Sequence, residues 1–144
     1  MDAIELLKSD HQGAKKAMEG IEKENGPKKM AMFKALKKEL EIHDSIEETI
    51  FYPSVRSNPK AASFPAADKQ AHETVEKALA RLALLPIEDK DWAPAFKAMQ
   101  TKLLKHVSDE ETNFFVKIRD VLSAAELNTL GDKMKAEKDR QLKS

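Results

Sequence analysis

Ile4, Leu7, His11, Ala14, Met18 and Ile21 follow one another at steps of three or four residues. Each residue of an α-helix turns about 100° around its axis, so this spacing gathers all six on one face. The same steps run through Phe33, Leu36, Leu40, His43, Glu47 and Ile50, and through His72, Val75, Leu79 and Leu82. A fourth series is Phe96, Met99, Leu103, His106 and Glu110, continued by Phe114 and Ile118. Breaks fall between the series, at Asn25-Gly26-Pro27, near Pro53 and near Pro86. Asn58, Pro59, Ser63 and Pro65 mark a loop, with the third helix expected from about Ala66. Asp89 or Asp91 caps the fourth helix, which tolerates Pro94 in its first turn. Ser123 and Glu126 form a capping box at the start of a last, short helix. Nothing alternates as a strand would. The pattern predicts an all-α chain: an up-down-up-down four-helix bundle over residues 1–122, then a short C-terminal helix and tail over 123–144.

A chain of 144 residues buries one core of ordinary size. Lys and Arg (25) balance Asp and Glu (25), which leaves no basic face for nucleic acid or an anionic membrane. There is no cysteine, so disulfides, thiolate metal sites and thiol nucleophiles are excluded. The opening residues MDAIELLKSDHQ lack the apolar run of a signal peptide, and no stretch is long enough to span a bilayer. A soluble, cytoplasmic protein is expected.

The four histidines are distributed one to each long helix, always on the apolar stripe. His11 lies 14 residues before Asn25 and His43 lies 16 after Pro27, so the two stand level across the turn at about 1.5 Å per residue. His72 and His106 stand level across the next hairpin, 14 residues before Pro86 and 15 after Asp91. His43 and His72 match within roughly a turn. All four imidazoles converge on one layer of the interior. Glu47 and Glu110 follow His43 and His106 at i+4 and can share an ion with them. The motif H-x-S-x-E-E-T-x-F begins at His43 and again at His106, and H-x-x-x-x-K-A-(M/L) begins at His11 and again at His72. The chain reads as a duplicated helical hairpin. Four imidazoles and two carboxylates exceed the needs of one zinc but suit two metals bridged by the carboxylates. Nitrogen and oxygen donors without sulfur favour iron, manganese or zinc.

His11, His43-x-x-x-Glu47, His72 and His106-x-x-x-Glu110, with DHQ, EETIFYP and EETNFF around them, resemble the hemerythrin-like, HHE cation-binding family over roughly residues 4 to 120. The tail SAAELNTLGDKMKAEK is also similar to that family's. The resemblance implies two iron ions with an oxo or hydroxo bridge, Glu47 and Glu110 bridging them. It implies His11 and His43 on an iron open to a small ligand, and His72 and His106 on the other. Oxygen-carrying members have a second histidine one turn after the position of His72; here it is Glu76. Glu76 is then either an anionic ligand or a solvent-facing partner of a lysine. Tyr52 is a further oxygen donor, but an ideal helix points it away from His43, and only a break before Pro53 turns it inward. Glu48 and Glu111 are either hydrogen-bonding neighbours of the ligands or surface charges.

An anionic donor in place of a histidine stabilises ferric iron. The expected function is therefore to bind or reduce dioxygen, hydrogen peroxide or nitric oxide, with catalase-like turnover, or with peroxidase-like or nitric-oxide-reducing turnover fed by a reductase. The alternative is an iron- or oxygen-sensing module without turnover, since metal binding is coupled to folding. A ferritin-like iron oxidase fits less well, because such sites use Glu-x-x-His pairs and more carboxylate.

Overall fold

The computed structural model describes residues 1–61 and 68–144. The expected loop positions Ser63 and Pro65, and the expected helix start at Ala66, lie outside these. Among the described residues every regular element is a helix. α1 (Ala3–Lys23) starts at Asp2, whose carboxylate accepts the Glu5 N–H at 2.8 Å. It ends at the predicted break, where Gly26 has a φ of +63°, a left-handed conformation that suits glycine. α2 (Gly26–Ile46) opens with Pro27 in its first turn and lies against α1. α4 (Asp68–Leu84) and α5 (Trp92–Asp109) form the second hairpin. Asp91 is at the N-cap of α5, and the Asp91 N–H donates to the Asp89 carboxylate.

Two helices do not keep the expected period. After α2 the chain makes a π turn over Glu47–Phe51 and continues as α3 (Tyr52–Arg56). After α5 it makes a π turn over Glu110–Phe114 and continues as α6 (Phe115–Val121). The Tyr52 and Phe115 N–H groups each reach back five residues, to the Glu47 and Glu110 carbonyls. The extra residue rotates α3 and α6 about the helix axis relative to a regular continuation. Ile50 and Phe114, expected on the apolar stripe, are only partly buried, while Phe51, Tyr52 and Phe115 are buried.

The last helix is not short. α7 (Ala124–Leu142) has 19 residues, opens with the predicted capping box and packs against both α1 and α2. Gly131 lets it approach the N-terminus closely: a Cβ there would stand 2.5 Å from the Met1 carbonyl oxygen. The apolar interior has two parts. One gathers Ile4, Leu7, Ile46, Phe51, Phe115 and Met134; the other gathers Met18, Phe33, Leu36, Leu79, Trp92 and Phe96. The histidine layer lies between them, so its charges sit in a medium of low polarity.

Candidate metal centre

His11 on α1, His43 on α2, His72 on α4 and His106 on α5 meet as predicted, and Glu47 and Glu110 open the two π turns. All six are buried, with Glu47 0% and Glu110 1% exposed. The His11 and His43 rings are 5.0 Å apart between centroids, as are those of His72 and His106. Each glutamate reaches across both pairs. Glu47 Oε1 is 2.8 Å from His43 Nε2 and 3.4 Å from His72 Nε2. Glu110 Oε1 is 3.2 Å from His11 Nε2 and 3.5 Å from His106 Nε2.

Outer contacts orient the imidazoles. The Nδ1–H of His11 donates to Glu111 at 2.7 Å and that of His72 to Glu48 at 3.3 Å. Glu48 and Glu111, left open between two roles, therefore hold equivalent histidines in the two halves. The Nδ1–H of His43 donates to Asp10 at 2.9 Å, and Asp10 also accepts from Lys138 of α7 at 2.6 Å. With Nδ1 engaged, each of these rings presents Nε2 to the centre.

The first π turn brings in Tyr52. Its hydroxyl lies 2.8 Å from Glu47 Oε2 and 2.7 Å from Glu110 Oε2, and its ring stacks on His72. Phe115, at the matching place after the second π turn, stacks on His11. The break required to turn Tyr52 inward is present, and it is a π turn. A signal existed in the sequence: each motif ends in two adjacent aromatics, Phe51-Tyr52 and Phe114-Phe115, which one regular helical face cannot bury together.

Asp10, Asp44 and Lys138 carry no periodic signature and were not anticipated. Asp44 is buried, with Oδ1 3.4 Å from His72 Nε2. Glu76 is half-buried and is one of the neighbours that raise the Asp44 pKa. Among the described residues, donor atoms within 4.8 Å of one another group as His11–His43–Glu110, Glu47–His72–His106 and His43–Asp44–Glu47. Glu76 is in none of them.

Without a cation the layer is a dense ion-pair network. Burial opposes the charge on His72, yet the nearby carboxylates of Glu47, Asp44 and Glu110 lift its pKa to about 10. Burial likewise opposes charge on His43, but Glu47 and Asp10 hold it well above the usual imidazole range. Against its own burial, Glu47 is drawn well below the usual carboxylate range, chiefly by His43. Burial dominates at Asp44 and raises it to about 8. Even so, the buried atoms His11 Nε2, His72 Nε2, Glu47 Oε1 and Glu110 Oε1 have no hydrogen-bond partner. Native interiors rarely leave such atoms unmatched. All four face the centre, where they and their neighbours fit metal ions as nitrogen and oxygen donors.

A cavity of about 280 Å³ adjoins this layer. Its walls include His11, His43 and His106 with Ala14, Leu40 and Leu103, and Lys138 and Leu142 of α7 border it. No helix among the described residues is long and apolar enough to cross a membrane.

The hemerythrin HHE cation binding domain model matches residues 2–118. Uncharacterised proteins of Mycobacterium tuberculosis and Mycobacterium bovis are each 28% identical over 143 residues, covering 94% of this chain and 84% of theirs. The crystal structure of a hemerythrin HHE cation binding domain-containing protein from Mycobacterium kansasii matches with a TM-score of 0.85 and 28% identity. That match covers 98% of this chain and 87% of the other.

Proposed function

This chain belongs to the hemerythrin HHE cation-binding domain family, and we propose that it is a non-heme di-iron protein that binds or reduces small oxidants. In this reading the ligand layer lies inside an up-down-up-down bundle. His11 and His43 would hold one iron, His72 and His106 would hold the other, and Glu47 and Glu110 would be shared between them. The observation that carries it is the reach of each glutamate: a single buried oxygen of each lies within 3.5 Å of a histidine from either pair. Four buried donor atoms without hydrogen-bond partners support it further.

When bound, the metals supply electrons and a Lewis-acidic position to a small ligand. This chain's own residues decide what reaches that position. The cavity beside His11 and His43 admits a small molecule along mostly apolar walls. Asp10, Glu48 and Glu111 keep three imidazoles presenting Nε2. Tyr52 holds a hydroxyl proton between the two carboxylates, and the aromatic rings around it exclude water. Oxygen donors crowd the His72 side, where Glu47, Asp44 and Glu48 all approach the ring. Such surroundings favour ferric iron, and with it the reduction of peroxide or nitric oxide over reversible dioxygen carriage. Turnover would draw its electrons from a reductase.

The test is metal content together with the optical spectrum, before and after azide and peroxide. Iron near two per chain with bridged-ferric absorption is expected; a folded chain that takes up no metal would overturn the assignment. Reversible dioxygen binding with negligible peroxide turnover would overturn the preference for reduction. His43→Ala or Glu47→Ala should lose at least one metal, whereas Glu48→Ala should keep both at reduced affinity. A sensing module has separate support in Lys138, which ties α7 through Asp10 to His43.

A further inference from the structure

Asp44 follows His43 on α2, about 100° further around the helix, so its carboxylate faces α4 rather than α1. It is 7% exposed, and the groups acting on it are His72, His43, Glu47 and Glu76. Its Oδ1 is 3.4 Å from His72 Nε2 without the alignment of a hydrogen bond. His72 is 2% exposed, and its Nδ1 is already committed to Glu48. Its unmatched Nε2 therefore points into the space shared by Asp44 and Glu47, whose own Oε1 is also unmatched and 3.4 Å from that nitrogen. Donor atoms of Asp44 and Glu47 also lie within 4.8 Å of one on His43, the ligand of the other metal in the reading above, so it is the 3.4 Å approach to His72 that places Oδ1.

We propose that Asp44 is a further carboxylate ligand, donating Oδ1 to the metal held by His72 and His106. The inference rests on the two-metal reading above. It also leaves Glu76 a role that involves no metal, as a neighbouring carboxyl that raises the pKa of Asp44. The assembled donors would then be unequal. The His72 side would gain an oxygen, while the cavity borders His11 and His43 together with Asp44 and His106. A hard cation such as ferric iron or manganese suits the added oxygen.

The experiment compares the full-length wild-type chain with Asp44→Asn and Glu76→Gln. It measures iron per chain, affinity by chelator competition, the optical spectrum, and melting with and without metal. Asn is isosteric and uncharged, so metal-free Asp44→Asn should fold and melt at or above the wild-type temperature. Its metal-induced rise in melting temperature should shrink. One of the two metals should bind at least tenfold more weakly, a loss as large as removal of a ligand's supporting partner or larger. Glu76→Gln, which leaves Asp44 in place, should retain both metals. If Asp44→Asn binds two metals with unchanged affinity and spectrum, Asp44 is no ligand while the two-metal reading survives. If Glu76→Gln loses a metal and Asp44→Asn does not, Glu76 is the donor and the proposal is wrong. A wild-type chain that binds no metal removes both.

Discussion

Stripped of metal, this protein should lose stability as the pH rises from 6.5 to 8. His72 has its pKa raised from 6.5 to about 10, because Glu47, Asp44 and Glu110 outweigh the effect of burial. Asp44 is raised from 3.8 to about 8, chiefly by burial. A group whose native pKa is raised keeps its proton in the folded state over a range in which the unfolded chain has released it. Stability falls with pH across that range. The contribution of His72 is complete below 6.5 and lost by about 10, while Asp44 becomes increasingly unfavourable from 3.8 to about 8. The windows overlap between 6.5 and 8, where each group removes about 1.4 kcal/mol per pH unit. The loss from these two groups over that interval is on the order of 4 kcal/mol, reduced to the extent that they face each other and titrate together. His43, also raised, acts in the same direction, whereas the lowered Glu47 and Asp10 act only in acid. For a domain of this size the melting temperature should drop by roughly 10 °C. Bound metal replaces the protons, so the loaded protein should vary much less. Scanning calorimetry of chelated and iron-loaded samples at both ends of the interval measures this. A metal-free melting temperature that stays level or climbs refutes the assignment of these protons.

Tyr52→Phe keeps the ring on His72 but removes the hydroxyl between Glu47 and Glu110. The metal-free protein should lose about 1–3 kcal/mol, read from the urea midpoint; no shift would mean that the hydroxyl does not hold the carboxylates. Gly131→Ala places a Cβ within 2.8 Å of three backbone atoms of residues 1 to 3, which no side-chain rotation relieves. It should destabilise by roughly 1–3 kcal/mol in the same assay, and a neutral result would show that α7 shifts freely on the N-terminus.

Periodicity carried most of the fold because four helices bury one stripe each and glycine or proline marks their ends. It also located the four histidines, since level heights follow from residue counts along rigid rods. The same assumption of a constant period hid the π turns, and with them the inward position of Tyr52. Asp10 and Asp44 were hidden for a different reason. Each stands next to a histidine, off the stripe, and is covered by a neighbouring element: Asp10 partly, by α7, and Asp44 fully, by α4. Burial by a third element leaves no trace in the spacing of the helix that carries the residue. Lys138 was hidden likewise, because the length of α7 and the surface it lies on are tertiary facts.

Tyr52 and Phe115 occupy the same place in two copies of one motif, each stacked on a histidine, yet only one bears a hydroxyl. Asp10 likewise has Ala71 as its counterpart in the second copy. The halves have thus stopped being interchangeable. A dimer assembled from two first hairpins would bring two phenols to the carboxylates, and one built from two second hairpins would bring none. Neither would rebuild this centre. A residue exchange that looks conservative in an alignment of the two copies, such as tyrosine for phenylalanine, is therefore a different chemical event on each side. Each half has its own constraint, and the repeat persists in the backbone more faithfully than in the chemistry it encloses.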